Sequence, residues 1–385
     1  MTHRDYTKAD KIVFVLISFW AVFSLYDWAK DVCLYLLLPI SFIIVSYNNT
    51  IYKRNRCLQL LSVLYLWFVI TSFFSVNTEE SFIQVKRTVA TFLMCYVFAA
   101  IGYRHPRLGY CIYILFFLAL LYYAYNNIMS VIDVSEERMQ DENVNANMFA
   151  YYTCFATFSV FLLGDMVSAI KKAKILKSIF FILIPISFML ALYTGSRQLL
   201  IIQVPLITLL LCIRYIRNVK GIVLLICIFV ALGVAFLYFG ESMYNNSTLS
   251  VRNGQSVEDD ERTYLLFDAF RVGFENFIVG VGPGCYKLVN PTHHYAHCAY
   301  AELIACSGLP ALIIYLIMIY SFVKEQVNRY LHKKNKLFLA FGLFGIVFAI
   351  QNVFYAFYLL PWLMAFFLLV SAHSDNLYYK LKKGR

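Results

Sequence analysis

Residues 293–323 read HHYAHCAYAELIACSGLPALIIYLIMIYSFV, a histidine-rich polar stretch that runs straight into a long apolar one. From Cys298 to Val323 the apolar part has the length of a membrane span, since a hydrocarbon core about 30 Å thick takes about 20 residues of helix. Similar runs recur outward in both directions. Spans are expected near residues 12–26, 32–47, 58–76, 85–102, 108–125, 148–164, 179–193, 198–213, 221–239, 298–323, 337–350 and 354–372, about twelve in all. Lipid offers the backbone no hydrogen-bond partner, so each span must close on itself as a helix. Composition points the same way: 61% of the 385 residues are hydrophobic and only 14% are charged, where soluble domains carry about 25% charged residues. The expectation is an all-α polytopic integral membrane protein.

Charge orders these runs. Taking connections alternately, 24 of the 33 Lys and Arg fall on one side, among them Lys53, Arg54, Arg104, Arg107, Lys171, Lys177, Arg214, Lys324 and Lys380. By the positive-inside rule that side is cytoplasmic, with the N- and C-termini both inside. The net charge of +11 then needs no nucleic acid to account for it. Acidic residues such as Asp133, Glu136, Glu258, Asp259 and Asp260 gather on the outer side. Residues 1–239 thus hold helices one to nine, residues 240–297 a large outer loop, and residues 298–385 helices ten to twelve with a basic tail. No cleavable leader is apparent, so the first span is expected to stay as an anchor. Most of the ten Cys lie inside spans; Cys285 and Cys298 are the two that share the outer side, where a disulfide is conceivable.

The outer loop has internal structure. Beyond the polar residues 241–260, the spacing of Leu265, Leu266, Ala269, Phe270, Phe274 and Phe277 predicts an amphipathic helix from Glu261, suited to a membrane surface or to roofing a cavity. Gly280, Gly282, Pro283 and Gly284 end it in a turn. This is no nucleotide site, because a phosphate-binding glycine cluster sits between a strand and a helix. His293, His294 and His297 are spaced i, i+1, i+4, yet there is no His-Glu-x-x-His and no clear fourth ligand, so no metal and no cofactor are expected. Arg197 stands at the outer start of a helix, where its charge opposes the dipole, and that points to an anionic partner.

Thr194-Gly195-Ser196-Arg197, Arg262 at the loop helix, Gly280-Val281-Gly282-Pro283-Gly284, and His297 followed by Glu302 and Gly308-Leu309, taken in this order, resemble the O-antigen ligase and polymerase superfamily. The family usually has Asn after the His; Cys298 stands there in this chain. The resemblance implies a metal-independent, inverting glycosyltransferase of the GT-C type in the bacterial inner membrane, its site facing the periplasm. It would move a glycan en bloc from an undecaprenyl diphosphate donor to a sugar hydroxyl of an acceptor glycan.

That chemistry asks for cations beside a departing diphosphate and for a base at the attacking hydroxyl. Arg197 and Arg262 fit the first role and His297 the second. His293, His294, Tyr295, Tyr300, Gly282 and Gly284 are candidates for substrate contact, with Tyr286 a further sugar-contact candidate. Glu302, just over a helical turn past His297, is either a group that orients the imidazole or an ordinary helix-end carboxylate. The leading expectation is a repeat-unit polymerase for O-antigen or capsule. A ligase acting on lipid A core or protein is the nearest alternative, and a polysaccharide transporter a more distant one. The lipid bilayer is an implied partner, with a flippase and a chain-length regulator as further candidates.

Overall fold

The computed structural model describes residues 7–24, 26–47, 51–131, 146–166, 182, 186, 199–215 and 261–383. In chain order the helices are α1 (Lys8–Phe23), α2 (Asp27–Val32), α3 (Leu38–Ser46), α4 (Ile51–Arg54), α5 (Arg56–Ser72), α6 (Thr78–Arg104), α7 (Pro106–Val131), α8 (Ala146–Met166), α9 (Val204–Tyr215), α10 (Glu261–Glu275), α11 (Tyr286–Val289), α12 (Ala299–Lys333), α13 (Lys336–Gln351) and α14 (Pro361–Lys383). One-turn π segments, Cys33–Leu37 and Leu199–Gln203, lead into α3 and α9. The all-α expectation holds throughout the described residues. Local sequence sets several starts: Asn55, Asn77 and Asn335 each turn a side-chain oxygen onto the early amides of α5, α6 and α13, which satisfies donors that a helix N-terminus leaves open.

The chain forms two compact units, Met1–Ile112 together with Glu258–Arg385, and Tyr113–Val257. In the first, α14 lies along α6, and α12 packs on α5, α10 and α13. Its core is aromatic. Phe348 stacks on Phe367 with ring centroids 4.4 Å apart, and Phe344 and Phe357 extend the cluster. In the second unit, Phe149, Phe155, Phe158 and Phe161 of α8 are buried, Gln203 bonds to Thr157, and Arg214 pairs with Asp165 at 3.0 Å.

The expected twelve-span arrangement is corrected. Among the described residues, four helices are long and apolar enough to cross a membrane: Thr78–Arg104, Pro106–Tyr123, Met148–Met166 and Ala299–Lys333. Four further apolar helices, Cys33–Ser46, Arg56–Ser72, Ile201–Arg214 and Lys336–Gln351, are shorter. The 16 residues of α13 reach about 24 Å, against a core of about 30 Å. Helix–helix contact absorbs much of the apolar surface that hydropathy assigns to lipid, as in Met148–Met166, where 89% of the most apolar window is buried. The N-in/C-in orientation and the loop between a ninth and a tenth span fall with the span count, because alternation of sides requires every run to cross. A twelve-pass inner-membrane placement with a periplasm-facing site falls for the same reason. The expected spans at 179–193, apart from residues 182 and 186, and at 221–239 lie outside the described residues.

The amphipathic helix expected from Glu261 is α10, and it lies on α12. Leu265, Ala269 and Val272 are buried in a cluster with Val281, Tyr286, Ala301 and Ala305. On its other face Tyr264, Phe267 and Phe274 are exposed.

Candidate functional site

The feature that organises the site is a break in α12. At Gly308 the backbone turns to φ 76°, ψ 178°, and Pro310 follows. Helix geometry stops there, so the carbonyls of the preceding turn lose their usual partners. The turn after α10 supplies replacements. Val281 N–H donates to Ala305 O and Gly282 N–H to Cys306 O, both at 2.9 Å, while Trp67 Nε1 donates to Ser307 O at 2.8 Å. In return Leu309 N–H donates to Phe277 O at 2.8 Å. Such closeness requires glycine on both sides. A Cβ on Gly308 would stand 2.1 Å from Ile278 O, and one on Gly282, at φ 107°, would stand 2.0 Å from Ser75 Oγ. The glycine-rich turn is therefore a cap for a broken helix.

The same turn is held from its other side. Val76 N–H and Ser75 Oγ both donate to Val281 O, at 3.0 and 3.2 Å. Cys285 lies fully buried with its sulfur 3.3 Å from Ser75 Oγ and 3.2 Å from Ser81 Oγ. Cys285 and Cys298 are both free thiols. Gly284 is buried against Gln84. Next in the chain, Tyr286 donates its hydroxyl to Leu265 O and Asp268 Oδ2, each at 3.0 Å. Burial first, and then Asp268, push this phenol above its usual range, so it stays a donor.

The histidine segment crosses from α11 to α12. Asn290, buried, folds it: its amide donates to Tyr286 O at 3.0 Å and His294 O at 2.7 Å, and its oxygen accepts from Thr292 N–H at 3.0 Å. His293 and His297 both have left-handed backbones, at φ 58° and 53°. His297 is fixed by its neighbours. Ala296 N–H donates to Glu302 Oε2 at 2.8 Å, and Ala299 N–H donates to Asn352 O at 2.8 Å. Its ring lies 6.3 Å from that of Tyr355, whose phenol burial raises. His297 is half-buried; His293 and His294 are exposed.

Several sequence-derived candidates meet here. His297, Tyr300, Glu302 and Gly282 share the start and the break of α12. Tyr300 donates to Ala349 O at 2.8 Å, and Glu302, 1% exposed, bonds the main chain two residues before Cys298. Tyr295 is exposed, with the Lys287 ammonium 5.5 Å from its ring centre and 2.7 Å from Glu80. Arg197 lies outside the described residues; Arg262 is in the first turn of α10, and its side chain is outside what is described. Among the described residues, no group of three or more His, Cys, Asp or Glu is placed to hold a metal ion. Trp67, Ser75, Asn352 and Tyr355 are the partners sequence reasoning missed. Nothing in their local sequence marks them, because each acts through a contact distant in the chain.

No protein-family model matches this chain, and no curated protein matches it.

Proposed function

We propose that this chain transfers a glycan as a block from a polyprenyl diphosphate to a sugar hydroxyl, joining lipid-linked repeat units into a polymer. One observation carries the reading: His297, half-buried and held in a left-handed backbone between two anchored amides, heads a discontinuous helix beside Tyr355. Strained backbone of this kind collects at functional sites, and imidazole is the side chain best suited to take a proton near neutral pH. Helices capable of crossing a membrane suit an enzyme whose donor is anchored in lipid.

In this reaction His297 takes the proton of the acceptor hydroxyl. The acceptor oxygen forms a bond to the anomeric carbon as the bond to the diphosphate oxygen breaks, so the lipid diphosphate leaves with the electron pair and the configuration inverts. Arg197 and Arg262 are assigned to the departing diphosphate by the resemblance of their motifs, a role that a planar cationic fork fills well. Buried Glu302 acts on the main chain ahead of His297.

Purified full-length protein given a defined undecaprenyl diphosphate oligosaccharide should extend it. His297→Ala should lower the rate at least about a hundredfold with the thermal unfolding midpoint retained. Wild-type extension by a folded His297→Ala protein would overturn the reading. Transfer only when lipid A core is added would replace polymerisation with ligation.

A further inference from the structure

We propose that the outer face of α10 and the turn that follows it seat in a lipid bilayer at headgroup depth, independently of glycan transfer. Along the 15 residues of α10, Tyr264, Phe267, Arg271 and Phe274 are exposed at i, i+3, i+7 and i+10, which is one stripe of a helix. Leu265, Ala269 and Val272, on the other side, are buried where α10 packs on α12. The stripe goes on beyond the helix. Phe277 and Ile278 are exposed in the turn, and Phe267, Phe274 and Ile278 are 68%, 64% and 65% open. Water is a poor neighbour for that surface, since full burial of one such side chain is worth about 1.5–3 kcal/mol.

Continuity with helices of spanning length selects lipid as what covers this face. Phe277 O accepts from Leu309 N–H at 2.8 Å, and a Cβ on Gly308 would stand 2.1 Å from Ile278 O. Here α12 resumes after its break, as part of a helix long and apolar enough to cross a membrane. Beyond the break Ile313, Leu316, Ile317 and Tyr320 are exposed at i, i+3, i+4 and i+7, a stripe suited to acyl chains. A second helix of spanning length, α6, starts in the same place. Val76 N–H donates to Val281 O at 3.0 Å, α6 begins at Thr78, and Phe73, Phe74 and Val76 ahead of it are exposed.

The make-up of α10 sets the depth. Among its 15 residues are the charged Glu261, Arg262, Asp268, Arg271 and Glu275, so it cannot itself cross the hydrocarbon core. A helix with one aromatic face and a polar remainder settles at the boundary of headgroups and acyl chains. Arg271 stands within the stripe but donates to Asp268 at 2.6 Å and Glu275 at 2.9 Å, so its charge enters that boundary already paired. Seated this way, α10 holds Val281 and Gly282, and with them the cap on Ala305 and Cys306, at the membrane surface.

Full-length protein in phosphatidylcholine nanodiscs tests this. Phe267→Trp and Phe274→Trp each place an indole on the face, read as emission added over that of the parent protein. The added emission should be lost most to phosphatidylcholine brominated near the top of its acyl chains, less to lipid brominated near the chain ends, and least to acrylamide in the water. The two positions report independently, so a variant that misfolds leaves the other to decide. Acrylamide as the strongest quencher would put the face in water and overturn the proposal. Strongest quenching by the deep bromine would put the face inside the hydrocarbon core and overturn the headgroup depth. Protection from all three quenchers, together with a dimer in native mass spectrometry, would assign the face to a second copy of this chain and overturn the proposal as well.

Discussion

His297 stands at φ 53° with the main chain fixed on both sides, a conformation that costs a non-glycine residue about 1–3 kcal/mol. Glu302 is the lever on that conformation, because its buried carboxylate receives Ala296 N–H. Glu302→Ala leaves that amide without a partner and should destabilise the protein by about 1–3 kcal/mol in a chemical unfolding experiment. Glu302→Gln retains an acceptor and should stay close to wild type. If Glu302 acts by positioning His297, glycan transfer should fall in Glu302→Ala and recover in Glu302→Gln; equal activity in both would confine its role to stability. Asp10 gives a test in pH. Burial opposes its ionisation, yet the bonds from Thr7 and the charge of His105 win and hold its carboxyl below the usual range. A lowered carboxyl contributes stability that is complete above its unfolded value, about 3.9, and is lost as pH falls through the folded value. The stability gap between wild type and Asp10→Asn should therefore be widest above about pH 4 and close below it.

At the scale of elements, the break in α12 decides where everything else in the site sits. Gly308→Ala would force a Cβ into the carbonyl of Ile278 at a backbone angle that L-residues avoid. The midpoint of thermal unfolding should drop by an amount equivalent to about 2 kcal/mol or more. A wild-type midpoint would mean that the break closes into regular helix without cost. Much of this was legible in the sequence. Gly280 through Gly284 read as a turn, Glu261 onward read as an amphipathic helix, and Gly308 was already grouped with His297. What the turn does was not legible, since capping Ala305 and Cys306 depends on segments that meet only after folding. On α10 the spacing grouped Phe274 with Leu265 and Ala269, yet Phe274 is exposed, as are Tyr264 and Phe267, while Leu265 and Ala269 are buried; only packing shows which side of α10 is covered by α12.

Across the whole molecule, hydropathy established that the chain is helical and apolar but not what covers its apolar faces. That is why short helices such as α13 read as spans. Arg329 shows the same limit for charge. Its sequence neighbours Lys324, Lys333 and Lys334 suggest a solvated basic end, yet Arg329 is 5% exposed and bonds Asp375 across to α14, Ser374 Oγ at 2.7 Å and Glu325 at 2.6 Å. Asn55 at the start of α5 completes the cluster, donating to Asp375 Oδ2 at 2.8 Å and to Ser371 Oγ at 2.9 Å. One guanidinium thus ties α12 to α14, and Asp375 extends the tie to α5. Removing one partner of a buried pair strands the other, at a cost of about 3–5 kcal/mol. Arg329→Met should lower stability by that amount in detergent-solubilised protein. Asp375→Asn added to it removes the stranded charge while keeping an acceptor for Asn55, so the double variant should be more stable than Arg329→Met alone. The coupling recovered this way should lie between about 0.5 and 3 kcal/mol. Strict additivity of the two substitutions would show that the cluster does not hold the three helices as a unit.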